Sequence, residues 1–167
     1  MIPIEHHKSE LGTQQRTLGL SREAREVLQL TLEEAATFGR GYYIDTADLL
    51  VGLSQVGITG EKLQQVGINP ESIREIKRQQ GGYDYFNRLQ PPVPSTAIER
   101  WEQLPRTQRM HKIGRMVTET ALLAKRDVVE PEDILEVIIK EGQGTGARVL
   151  RQMGIDQRNQ KFLGLLR

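Results

Sequence analysis

LSREAREVLQLTLEEAATFGRGYYIDTADLLVGL, residues 20–53, decides the fold, because a related pattern returns as RTQRMHKIGRMVTETALLAKRDVVEPEDILEVII at residues 106–139. Each stretch is followed by a short glycine-bearing segment, GITGEKLQQVGIN at 57–69 and GQGTGARVLRQMGID at 142–156. The paired endings VGIN and MGID and the paired entries DTADLL and EPEDIL anchor the correspondence. Such self-similarity within one chain signals a duplicated structural unit and constrains the fold before any local reading.

Each copy reads as helix throughout. Ser21 and Thr107 stand where a hydroxyl accepts a bond from the free N–H groups of a first helical turn. Behind Ser21, Ala24, Val27, Leu28, Leu32, Ala35 and Phe38 recur at three- and four-residue spacing; behind Thr107, Met110, Ile113, Val117, Ala121 and Ala124 do the same. Thr46 is expected to cap a second helix carrying Leu49, Leu50 and Leu53. Pro131 suits the first turn of the counterpart helix, whose buried face is Ile134, Leu135, Ile138 and Ile139. Thr59 and Thr145 are expected to begin a third helix in each copy, ending at Gly67 and Gly154, with Ile68 and Ile155 folding back. Asn69-Pro70 and Asp156 then start the fourth. The expected fold is all-α: two pseudo-symmetric four-helix repeats forming an eight-helix domain.

The boundaries follow. Residues 1–19 form a polar, mobile tail, 20–80 the first repeat, 81–104 a linker containing GGYDYF and QPPVPS, and 105–167 the second repeat.

Composition narrows the function. The 167 residues are 37% hydrophobic and 27% charged, enough apolar material for a real core. With 23 Lys+Arg against 22 Asp+Glu and no block of like charge, the clustered basic footprint of nucleic-acid binding is missing. No apolar run is long enough to cross a bilayer, and MIPIEHHK at the start lacks the apolar core of a signal peptide. The absence of cysteine excludes disulfides, thiolate metal sites and a cysteine nucleophile, and fits a cytoplasmic location.

No catalytic motif emerges. GITGEK and GQGTGAR lack the Gly-Lys-Ser/Thr ending of a phosphate-cradling loop, and their glycines read as turn residues. His6, His7 and His111 have no metal-ligand spacing, so neither a metal nor a cofactor is expected. Glu33 and Glu34 diverge around a helix instead of facing each other, and no GxSxG motif is present.

The run LSREAREVL…LEEA…G, the LLVGL helix at 49–53 and the GQGTGARVLRQMGID closure resemble the Clp repeat, over about residues 20–167. The resemblance implies the N-terminal domain of Clp-type AAA+ unfoldases, here without the ATPase, either as a free-standing accessory paralogue or as a piece of an unfoldase. It further implies a non-catalytic module that binds Clp unfoldase or protease subunits, adaptor proteins or protein substrates. The alternative is an accessory subunit that docks on and stabilises the Clp protease core.

In that family the second helix of each copy usually begins Gly-Thr-Glu-His, and in some members the Glu helps hold a phosphorylated arginine. Here the first copy reads Asp45-Thr46-Ala47-Asp48 and the second Glu130-Pro131-Glu132-Asp133, so Glu132 alone keeps the family acid. The first copy also carries one extra residue around Tyr42-Tyr43. Ala47 offers no carboxylate for a guanidinium, and the acids at 130, 132 and 133 repel phosphate while favouring a plain cation. Thr46, Asp48, Glu130, Glu132 and Asp133 are therefore the polar protein-binding candidates. Tyr83, Tyr85, Phe86 and Trp101, in the linker, are the aromatic ones; packing of the linker onto the bundles is the competing explanation for them.

Overall fold

A computed structural model describes residues 18–38, 44–80, 98–103, 108–156, 158 and 164. Helix α1, Arg22–Phe38, starts as its sequence dictates, with the Ala24 N–H donating to Ser21 Oγ at 3.0 Å. Its apolar stripe of Ala24, Val27, Leu28, Leu32 and Ala35 is buried. After it come α2, Thr46–Leu53, α3, Gly57–Gln65, and α4, Pro70–Gln79. The later part of the chain contributes α5, Gln108–Leu123, α6, Pro131–Glu141, and α7, Gly144–Gln152. Seven α-helices thus stand among the described residues, and the chain is mostly helical. The fourth helix expected after Asp156, the Thr107 cap and Tyr42, Tyr43, Tyr83, Tyr85 and Phe86 lie outside the described residues.

Three helix starts differ from expectation. Asp45, not Thr46, caps α2: its Oδ1 accepts from the Ala47 N–H at 2.7 Å and the Asp48 N–H at 3.1 Å, and a carboxylate competes well for these free donors. Thr46 is instead the first helical residue. Helix α3 begins at Gly57, two residues before Thr59, and α7 begins at Gly144, one residue before Thr145. At neither start does a side chain cap the helix.

The helix ends at Gly67 and Gly154 match one another. Their φ angles are +82° and +79°, and the next N–H, of Ile68 and Ile155, reaches back to the Leu63 and Leu150 carbonyls at 2.9 and 2.8 Å. Glycine takes this left-handed position without steric cost, and both isoleucines are driven into the core. Lys125 occupies the same kind of position after α5, at φ +57°, with the Arg126 N–H donating to the Ala121 carbonyl at 2.9 Å.

The two parts of the chain share one continuous apolar cluster running from Leu20 to Ile155. Helix α2, all eight of whose residues are buried, is its axis: it packs on α1 along one side and on α7 along another. The closest approach is at Gly146, where an added Cβ would collide with the Thr46 carbonyl. A two-residue parallel ladder, β1 (Gly19–Leu20) with β2 (Val128–Val129), ties the approach to α1 onto the α5–α6 connection, so Gly19 already belongs to the fold.

Candidate functional site

The starts of α2 and α6 carry the polar candidates, and the fold treats them differently. At α2 the groups are consumed internally. Thr46 Oγ1 accepts from the Gly146 N–H at 2.9 Å, and the Ala47 N–H also meets Thr145 Oγ1 at 3.3 Å, so the start of α7 seals the start of α2. Asp48 is 1% exposed; its Oδ2 accepts the Asp45 N–H at 3.0 Å and its Oδ1 accepts Lys77 Nζ at 2.7 Å. Lys77, itself buried, also reaches Asp45 Oδ2 at 3.0 Å.

One ammonium thus serves two carboxylates. Burial, with the adjacent Asp45 charge, pushes the Asp48 carboxyl up to about 7 despite the Lys77 contact. Burial works against the Lys77 ammonium, but the Asp48 and Asp45 carboxylates outweigh it and hold its pKa above the ordinary lysine value.

At α6 the same local design leaves an open face. Asp133 plays the part of Asp48: it is fully buried, accepts the Glu130 N–H at 2.8 Å and is paired with Arg126. Burial raises its pKa, against the opposing pull of the Glu130 N–H and Arg126. Glu130 and Glu132, on either side of buried Pro131, are only half-buried and line a cleft of about 700 Å³ between α5 and α6. Glu23 of α1 and Glu136 add carboxylates to that cleft, and Arg126 and Lys140 add cations. Both cations have acids of their own, Arg126 with Asp133 and Lys140 with Glu136 at 2.6 Å. Among the described residues Glu130 and Glu132 have no ion-pair partner. Leu123, 84% exposed, supplies an apolar wall.

The structure therefore gathers Glu130 and Glu132 into one accessible cleft and places Thr46, Asp48 and Asp133 inside the protein. Trp101 stands apart from them. It opens a short 3-10 turn, Trp101–Gln103, and lies against Gly114 of α5 with its indole N–H donating to the Met110 carbonyl at 3.1 Å. Sequence reasoning missed Lys77, although its i, i+4 relation to Ile73 put it on the buried face of α4. It also missed Glu23 and Leu123, which reach the cleft from other helices and have no signal in sequence spacing. No group of three or more His, Asp or Glu able to hold a metal occurs among the described residues. No helix among them is long and apolar enough to cross a membrane.

Among the described residues the chain is a mostly helical domain whose short helices α3 and α7 close at glycines. No family model matches the chain. It is 30% identical over 139 residues to an ATP-dependent Clp protease ATP-binding subunit ClpA homolog of Cyanidium caldarium, covering 81% of this chain and 15% of that protein. It is 28% identical over 142 residues to the chloroplastic chaperone proteins ClpC1 of Oryza sativa subsp. japonica and of Arabidopsis thaliana, covering 83% of this chain and 14% of each. The chain is a homologue of the ClpA/ClpC chaperones, matched over a segment whose size is consistent with their N-terminal domain alone. It spans only about 14–15% of the length of these curated relatives. The chloroplastic relatives lend no support to the cytoplasm as its particular location.

Proposed function

We propose that the chain is a non-catalytic protein-binding module of the Clp system, recruiting adaptors or substrates to a Clp chaperone or protease. The observation that carries this reading is the open cleft at the start of α6, where Glu130 and Glu132 have no ion-pair partner among the described residues, in a homologue of the ClpA/ClpC chaperones. The domain is read as two pseudo-symmetric repeats, 20–80 and 105–167, joined by 81–104. The like-closed helix ends at Gly67 and Gly154 and the like-built starts at Asp45–Asp48 and Glu130–Asp133 support that reading.

The ligand that suits the cleft is a cationic side chain presented by a protein segment. The Glu130 and Glu132 carboxylates receive a guanidinium or ammonium, and Leu123 receives its apolar neighbour. A phosphorylated arginine is disfavoured by the same acids, and at α2 neither half of such a site is free, since Ala47 carries no carboxylate and Thr145 and Asp45 occupy its N–H.

The test is a pull-down from the native extract with the tagged chain, alongside Glu132→Ala and Glu130→Ala variants. Retention of Clp subunits or their adaptors, reduced in the variants, is expected. Failure to retain any Clp component removes the reading. Retention of the proteolytic core alone, unchanged in both variants, favours the accessory-subunit alternative. Calorimetry with arginine and phosphoarginine peptides checks the ligand: a tight phosphoarginine site would overturn the cationic preference.

A further inference from the structure

Helix α5 carries its charges in the order that its own dipole disfavours. Its first turn has no acid and its last turn no base. Arg109, Lys112 and Arg115 lie in the first half, where free N–H groups make the helix end positive, and Glu119 lies in the second. The helix also has one uncovered face. Met110, Ile113, Val117 and Ala121 are buried on its inner side, while His111, Lys112, Arg115, Glu119, Leu122 and Leu123 are exposed at helical spacing. That face is cationic over its first half, then acidic and apolar. Arg115 and Glu119 have no ion-pair partner among the described residues, although they stand four apart on one helix. Lys112 reaches Glu141 only at 3.4 Å, and Glu141 also holds Arg109 at 2.7 Å, so Lys112 can turn elsewhere without stranding a carboxylate.

We propose that the exposed face of α5 docks on the same face of a second copy of this chain, the two helices antiparallel about a twofold axis at the level of Val117, with Arg115 of each copy paired to Glu119 of the other.

The argument is one of self-complementarity. The exposed positions are symmetric about residue 117, so an antiparallel pair with its axis there sets Arg115 level with Glu119, Lys112 with Leu122 and His111 with Leu123. Each contact then occurs twice, as a twofold axis requires. Arg115 and Glu119 are about 6 Å apart along the helix, so both ion pairs fall within one turn of the axis. The Lys112 stem covers Leu122 while its ammonium stays in water. Antiparallel order also brings the acid-bearing half of each helix to the positive end of the other, which corrects the charge order that each helix has alone. Parallel order would set like charge on like.

One helix face is small beside the roughly 800 Å² per partner of a standard interface, so the dimer is a weak one, with a dissociation constant on the order of 100 µM. Leu123 also walls the α5–α6 cleft, so pairing withdraws that wall from a cleft ligand. The inference does not rest on the Clp reading: recruitment fails or stands on Glu130 and Glu132, and pairing on Arg115 and Glu119.

Sedimentation velocity on the whole chain from about 5 to about 500 µM tests it, with a monomer–dimer equilibrium expected that weakens in about 0.5 M salt, where exposed ion pairs are screened. Arg115→Glu and Glu119→Arg each set like charges against each other on both sides of the axis, and each variant alone should stay monomeric. Both side chains are exposed, so circular dichroism should show the helices intact. Mixed in equal amounts, the two variants again have opposite charges at both contacts and should form a one-to-one heterodimer. The salt dependence is read on the unaltered chain and stands even where a variant fails to fold. A chain monomeric at every concentration, association that strengthens with salt, a dimer that survives both substitutions, or folded variants whose mixture stays monomeric would overturn the proposal.

Discussion

At the scale of single residues, close backbone approach and backbone conformation set the sharpest constraints. Gly146 lets α7 lie against the Thr46 backbone, and its N–H bonds Thr46 Oγ1. In Gly146→Ala the new methyl meets the Thr46 carbonyl in the first turn of α2, which cannot move aside as a flexible side chain would. We expect a loss of about 3 kcal/mol, read as a lowered urea midpoint. Lys125 presents the opposite case, a side chain held at φ +57° where glycine carries no penalty. Lys125→Gly should stabilise the protein by about 1 kcal/mol, seen as a raised Tm. Gly146 was legible in the sequence only as a turn residue of GQGTGAR, because the helix that excludes a Cβ there comes from residues about a hundred positions earlier.

At the scale of elements, helix identity was carried by local chemistry. The three-and-four spacing behind Ser21, the Asn69-Pro70 start and the Gly67 and Gly154 ends all act within a few residues, and the structure keeps each of them. Exact starts were less legible where a threonine competed with a neighbour, as at Asp45-Thr46, since tertiary contact with Gly146 claims the threonine hydroxyl. The turn at Trp101 is held by its seat on Gly114 and the bond to Met110. Trp101→Ala should cost about 2 kcal/mol, less than a fully buried tryptophan, and leave the affinity of a cationic peptide for the α5–α6 cleft unchanged. Chemical denaturation followed by circular dichroism, with peptide titration beside it, separates these two effects. A lost affinity at full stability would instead make Trp101 a contact residue.

At the scale of the whole molecule, buried acids govern the response to pH. Asp48 and Asp133 both have folded pKa values raised from that of an ordinary aspartate, so each stabilises the fold at low pH and loses that contribution as pH rises through its folded pKa. For Asp48 that window ends near pH 7 to 8. The urea midpoint should therefore fall from pH 6 to pH 8, and less steeply in Asp48→Asn. A midpoint that rises over this interval would show that the buried carboxylates do not dominate. The cleft belongs to this scale too: Glu23, Leu123 and Glu132 come from α1, α5 and α6, and only packing brings them together.

The sequence by itself determined the helical class, the helix ends at Gly67 and Gly154 and the kinship with Clp chaperones, because periodicity and glycine ends are properties of neighbouring residues. The tertiary structure decided which acids are accessible. At the start of α2, Thr46 and Asp48 are tied to α7 and Lys77, while at the start of α6 Glu130 and Glu132 face a cleft. That difference rests on burial and on partners contributed from 29 to 100 residues away along the chain, which no local pattern encodes.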